Sequence, residues 1–304
     1  MNYSISRRTF TVSSLCASLP GAIPNLPAIA SVEPDKRILV VVGPSKHPPG
    51  THEVAATGRL LQHCIQQIGS PGLKADVLFS WPDDAKLLQQ TSSIVFVGDF
   101  FPPARMEGKT KIMSDLTSMM NRGCGIVCVH YATGLGAQDV SDDGQHPLLQ
   151  WMVGYFATKC KHHQSVARVF DKATIVPSPT RHDILRGWQS FTVHDEPYIH
   201  NYFGKAGMAA GVVPLATASL PPEDPKEETV AWAIERPDGG RGVGIVMPHF
   251  YRNWQQNDLR KLIVNSVAWS AKLDIPEQGI EVTLPDLANF EPSSIDPIGK
   301  AKTK

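Results

Sequence analysis

Four of the eleven histidines stand where chemistry could be organised. His47 and His52 lie in the loop after one apolar run, His130 directly follows a second, and His249 comes just after a third. A neutral imidazole is a ligand for borderline divalent ions and, near pH 7, a proton donor or acceptor. Three such side chains, with Glu53, would suit zinc with one position left for water or a substrate oxygen. Their spacing is not a self-contained ligand motif, so they make a site only if the fold gathers them; otherwise they are hydrogen-bonded loop and surface histidines. Asp195-Glu196, preceded by His194, is the leading source of carboxylates. Adjacent side chains in a turn diverge, so one can orient a histidine while the other serves as general acid or base; a solvated acidic turn is the competing reading. Tyr131, Tyr198 and Trp254 offer flat faces for stacking, and Arg252 and Asn253 offer hydrogen-bonding groups, although aromatics at element ends also serve packing. His162-His163, beside Lys159 and Lys161, fits a basic loop, and His63 and Cys64 fit a helix.

The elements that must position these residues are legible from periodicity. Residues 126–129 form an unbroken apolar strand of the kind covered on both faces, and Gly123 closes the amphipathic run Ile112, Leu116, Met119, Met120 as a left-handed cap. Residues 37–43, 74–79 and 94–97 give three more strands, the last ending in Gly98-Asp99. Helices are expected after Thr51 as N-cap, with Val54, Leu61, Ile65 and Ile68 on one face, over 110–122, and after Asn257 or Asp258. Strands alternating with helices predict an α/β fold with a mostly parallel, doubly wound sheet and helices on both faces. Ligands bind outside the carboxyl ends of such strands, which is where the four histidines would meet. From about 140 the pattern loosens into an insertion expected to fold over that edge. Residues 229–235 and 242–247 then read as a closing hairpin around Pro237-Asp238-Gly239-Gly240. Beyond about 274 the chain is Pro-rich and unpatterned, a surface-hugging tail.

Composition narrows the partners. Lys plus Arg equals Asp plus Glu at 29 each, so no summed field draws the chain to nucleic acid or an anionic membrane. Ser6-Arg7-Arg8-Thr9-Phe10, a weakly apolar stretch and Ala28-Ile29-Ala30 make residues 1–30 a twin-arginine export signal, which predicts a periplasmic or other extracytoplasmic location. No other segment is long enough for an integral membrane span. Cys16 lies in the signal; Cys124 and Cys128 lack zinc-finger spacing, and a Cys64–Cys160 bridge stays open. The expected organisation is a signal over 1–30, an α/β domain over 36–272 and a tail over 273–304. Self-association stays open.

Six ordered motifs carry a resemblance. Pro49-Gly50-Thr51-His52-Glu53, Gly125 with His130-Tyr131-Ala132, Gly154-Tyr155-Phe156, Arg181-His182-x-Ile184, Phe191 with Asp195-Glu196-x-Tyr198, and Gly240-Arg241-Gly242-x-Gly244 running to His249-Phe250-x-x-Asn253-Trp254 follow one another as in the trehalose-utilisation, or ThuA-like, family. The resemblance spans roughly 36–272 and implies a flavodoxin-like sandwich similar to class I glutamine amidotransferases. Where those enzymes carry a nucleophilic cysteine this chain has His130, which argues against amidotransferase chemistry; their late histidine is matched by His249. The family commonly ends in Gly-Gly-His-Phe-His, here Met247-Pro248-His249-Phe250-Tyr251, and Pro197 replaces an aromatic after Asp-Glu. A role held by the missing histidine is absent or moved to a neighbour such as His163. The resemblance implies a disaccharide or 3-keto-glycoside as partner, handled by His130, His249, Asp195 and Glu196. The cofactor expected is a divalent metal on His47, His52, Glu53, His130 and His249, zinc first, and no nucleotide. The alternative is a non-catalytic sugar-binding or accessory module on the same scaffold.

Overall fold

Each buried apolar run becomes a strand of one nine-stranded sheet in the computed structural model, which describes residues 35–299. The twin-arginine segment lies outside the described residues. The chain runs β1 (Arg37–Val42), α1 (Val54–Gln66), β2 (Lys74–Leu78), α2 (Ala85–Gln90), β3 (Ser93–Val97), α3 (Lys109–Asn121) and β4 (Gly125–Val129). A two-stranded sheet of β5 (Gly134–Gly136) and β6 (Phe156–Thr158) brackets the one-turn helix α4 (Leu148–Trp151). There follow β7 (Phe170–Pro177), β8 (Phe191–Asp195), β9 (Val212–Leu220), β10 (Lys226–Glu235), β11 (Arg241–Ile245) and α5 (Asn257–Ser270).

The sheet order is β2-β1-β3-β4-β11-β10-β9-β7-β8. Its first five strands are parallel and have the flavodoxin-type order, with the switch point between β1 and β3. The remaining four are antiparallel. The expectation of a mostly parallel sheet is therefore corrected: the sheet is mixed in near-equal halves. The antiparallel half comes largely from the segment read as an insertion, whose strands β7, β8 and β9 join the main sheet rather than only covering its edge. The edge strand β8 alternates buried with more exposed residues over Phe191–Asp195, because a one-sided antiparallel extension needs no second apolar face. The β10–β11 hairpin forms as expected.

Register explains why one rim of the parallel half collects loops. Val42 pairs with Val97, Phe96 with Cys128, and Val129 with Ile245, so β1, β3, β4 and β11 end nearly level. Close approach of layers fixes two glycines. A Cβ on Gly125 of β4 would lie 2.2 Å from the Ser270 carbonyl oxygen at the end of α5, and one on Gly242 of β11 would lie 2.0 Å from that of Trp151. Gly123 is left-handed at φ 83° and ends α3 with Gly123 N–H bonded to Met120 O and Cys124 N–H to Met119 O, as its position predicts.

One local expectation is corrected, the open thiol pairing is settled, and the tail packs against the domain. The N-cap of α1 is Glu53, not Thr51, whose hydroxyl instead donates back to Pro48 O. Cys64 and Cys160 are both free thiols, as are Cys124 and Cys128, and burial pushes the Cys64 thiol up to about 12. Unpatterned as it is, the segment after α5 buries Ile275, Ile280, Val282, Leu287 and Phe290 and returns to the front loop, where Ile298 N–H donates to Pro49 O.

Candidate active site

Loops leaving β1, β3, β4 and β11 at the level rim bring together His52, Asp99, His130 and His249. His130 is the first residue past β4 and adopts φ 50°, a left-handed conformation that costs a non-glycine residue of order 1 kcal/mol and persists where surrounding contacts demand it. The turn aims its ring across the rim. His130 Nε2 lies 3.2 Å from His52 Nε2 and 3.2 Å from His249 Nδ1, and the third side of this triangle, His52 Nε2 to His249 Nδ1, is 3.1 Å.

The outer ring nitrogens fix the proton positions. His52 Nδ1 faces the Asp99 carboxylate and His130 Nδ1 is 3.1 Å from the Val246 carbonyl. Both partners only accept, so both Nδ1 atoms carry the proton and both Nε2 atoms present lone pairs. His249 Nδ1 and the Tyr198 hydroxyl, 3.1 Å from His130 Nε2, can each donate one proton inward. The edge between His52 and His130 still has none, and two lone pairs oppose one another across it. A cation relieves that opposition. Tetrahedral zinc with Zn–N bonds of about 2.0–2.1 Å holds its ligand nitrogens roughly 3.3 Å apart, so the triangle has both the donor chemistry and the size for such an ion. The three histidines form a group able to hold a metal ion, and a cavity of about 20 Å³ beside them, lined by Val97, Val129 and Trp254 among others, has room for one water.

Electrostatics keep the ligands neutral. Burial, then His52 and His249, holds His130 well below its ordinary value; burial and the neighbouring His52 and His47 bring His249 down to about 3. His52 is lowered by burial against the pull of Asp99. Asp99 itself resists burial through bonds from His47 and His52, which keep it ionised far below the usual carboxylate range. It also accepts Lys46 N–H at 2.7 Å and His47 Nδ1 at 2.8 Å, so it ties both histidines of the first loop to the end of β3.

The carboxylates arrive from the opposite edge of the sheet. At about 4.8 Å per strand, β8 would lie about 19 Å from β11 in a flat sheet, yet Asp195 Oδ1 accepts His249 N–H at 2.8 Å and Phe250 N–H at 3.1 Å. The contact is made past the strand ends, between the last residue of β8 and the segment that follows β11. Asp195, pushed up to about 6 by burial, thus holds the backbone of His249. Glu196 turns the other way, and its Oε2 lies 3.3 Å from His249 Nδ1. Burial, then Asp195, raises Glu196 to about 7.

The other expected site residues separate. Half-exposed His47 stacks on His52 with ring centroids 3.5 Å apart and forms an outer group with Asp99 rather than a fourth corner of the triangle. Glu53 is not at the triad: its carboxylate accepts Gly50, Ser293 and Ser294 N–H. Tyr131 lies edge-on to His47 and His52 with its hydroxyl raised by burial. Tyr198 is buried between His130 and Phe156, and Trp254 is core, so neither presents a free face to a ring. Arg252 contacts His194 and Asp296, and Asn253 donates to His194 O, placing both behind the carboxylates. Tyr251, in place of the family's second histidine, points away to Leu287 O. His163 is no substitute, since its ring meets His200 O. Sequence reasoning missed Asp99; an Asp immediately past a buried strand, at the rim where the histidines were expected, was the available signal. On the same rim, Ser45, Phe79, Trp81 and Arg105 wall a cleft of about 750 Å³.

No family model matches the chain, and no curated protein matches it. Among solved structures, a ThuA-like protein from Bacteroides uniformis superposes with a TM-score of 0.55 at 14% identity, covering 81% of this chain and 95% of that one. The carbohydrate deacetylase Agd3 gives 0.46 at 12% identity over 78% of this chain and 32% of its own. A glutamine amidotransferase from Thermotoga maritima gives 0.41 at 8% over 78% and 99%. The first of these shows a shared fold, and the motif resemblance to ThuA-like proteins thus holds at the level of architecture.

Proposed function

We propose that this chain is an exported enzyme acting on a disaccharide or 3-keto-glycoside, with a divalent ion, zinc first, held by His52, His130 and His249. The observation that carries this reading is the triangle of imidazole nitrogens with two protonless corners. The saccharide class rests on the six ordered motifs and on the fold shared with a ThuA-like protein. A divalent ion in the triangle would supply Lewis-acid polarisation of a carbonyl oxygen. Glu196, titrating near neutrality beside that position, is the proton carrier. In a 3-keto-glycoside the keto group acidifies the C2–H bond; Glu196 takes that proton, the electron pair forms the C1–C2 double bond, and the alkoxide leaves from C1. Tyr198 and Asp195 hold His130 and the His249 backbone, and Asp99 fixes the proton of His52. The dry aromatic packing of Tyr198 and Phe156 keeps water off one side.

Elemental analysis of protein purified without a histidine tag, followed by turnover of a panel of 3-keto-disaccharides, tests the reading. One equivalent of metal in the native protein, lost in His130→Ala, and turnover lost in Glu196→Gln with metal retained, support it. Saccharide binding with neither metal nor conversion makes the chain a non-catalytic binding module instead. Loss of export on changing Arg7 and Arg8 to Lys tests the location separately.

A further inference from the structure

A second cleft, of about 780 Å³, opens between the loop at Asp142-Asp143, the His162-His163 loop and the segment from Asn201 to Gly207. Three buried polar atoms in its wall lack partners within the protein: His162 Nδ1, Asn201 Oδ1 and the Tyr202 hydroxyl. Tyr202 is 6% exposed and Asn201 8%, and leaving such groups unbonded costs about 1–3 kcal/mol each. Their polarity is fixed by the atoms behind them. Tyr155 spends its hydroxyl proton on Gly144 O at 2.8 Å, so in the 2.8 Å contact with His162 the ring Nε2 must donate. His162 Nδ1 is then a bare acceptor. Asn201 Nδ2 faces two carbonyls, Tyr198 O at 2.9 Å and Thr229 O at 3.3 Å, which settles the amide with Oδ1 as the free end. Gly144, left-handed at φ 84°, packs against two of these side chains; a Cβ there would lie 2.8 Å from His162 Nε2 and 2.9 Å from the Tyr202 hydroxyl. His162 is thus a fixed wall residue, not part of a solvated basic loop.

We infer that this cleft is a binding site for a neutral, hydroxyl-rich ligand, a saccharide unit, distinct from the histidine triangle. Two fixed acceptors and one hydroxyl call for a ligand that donates hydrogen bonds, and the rim charges are matched within the protein, Lys161 Nζ on Asp142 at 2.8 Å and Lys205 Nζ 4.0 Å from Asp143, which favours a neutral ligand over an anion. A metal ion is disfavoured because, among the described residues, three ligand atoms converge only at the two groups around His52. Tyr202 and Phe203 line the cleft with aromatic surface, which suits the C–H face of a pyranose. The inference stands on the cleft's own atoms and does not depend on the metal or the reaction proposed above.

Calorimetric titration with glucose, maltotriose and cellotriose tests it. Tyr202→Phe removes a hydroxyl that bonds nothing in the protein, so folding and metal content stay unchanged while saccharide affinity falls about tenfold, the loss of one hydrogen bond. His130→Ala leaves binding at this cleft intact. The inference is overturned if no sugar of the panel binds saturably, if Tyr202→Phe binds as the native protein does, or if calcium or magnesium alone binds with the same sensitivity to Tyr202.

Discussion

Replacing Asp99 by Asn isolates the support of the histidine triangle from the triangle itself. The native carboxylate faces His52 Nδ1, His47 Nδ1 and Lys46 N–H at once, and it has the charge to hold the proton of His52 on Nδ1. An Asn of the same shape offers one neutral acceptor and two donors. Its amide N–H2 must then face a ring nitrogen, which favours the His52 tautomer with the proton on Nε2 and removes one of the two bare lone pairs from the triangle. Outer-shell partners of metal-binding histidines are worth about 10–100-fold in metal affinity, or about 1.4–2.7 kcal/mol. Competition with a chromogenic chelator at fixed pH should show zinc affinity in Asp99→Asn lowered within that range, with unchanged far-ultraviolet dichroism, whereas His52→Ala loses stoichiometric binding. Native zinc affinity in Asp99→Asn, measured alongside loss in His52→Ala, would show that the tautomer is not set by Asp99 and refute the argument.

Three further outcomes follow from the geometry. Burial brings His146 down to about 4, so the folded state holds it neutral while the unfolded chain protonates near pH 6.5. Its contribution, on the order of 3 kcal/mol, is present above pH 6.5 and lost as pH falls toward 4; chelator-treated protein should melt at progressively lower temperature over that window, less steeply in His146→Gln. Glu53→Ala strips acceptors from the amides of Gly50, Ser293 and Ser294, and thermal melting should report a loss of about 1–3 kcal/mol, together with faster proteolysis after residue 290. Gly125→Ala drives a Cβ against Ser270 O and should cost about 1–3 kcal/mol by overpacking, read by urea denaturation; a stability equal to native would mean that α5 shifts freely on β4.

Periodicity marked most of the parallel half: the apolar runs of β1, β3 and β4 are inner strands buried on both faces, and the glycine after α3 and the Asp-Gly turn of the β10–β11 hairpin mark where the chain reverses. With that topology fixed, His52, His130 and His249 had to emerge at one rim. Sequence could not decide which acidic groups join them. Glu53, adjacent to His52, turns its carboxylate to the amides of Gly50, Ser293 and Ser294, while Asp99 and Glu196, distant in the chain, lie beside the histidines. Neighbours in sequence share an element but not a direction, and the bonds from the His249 and Phe250 amides to Asp195 join segments that no local pattern pairs. The second cleft was equally hidden, because an acceptor is known to be unpartnered only after every atom around it has been placed.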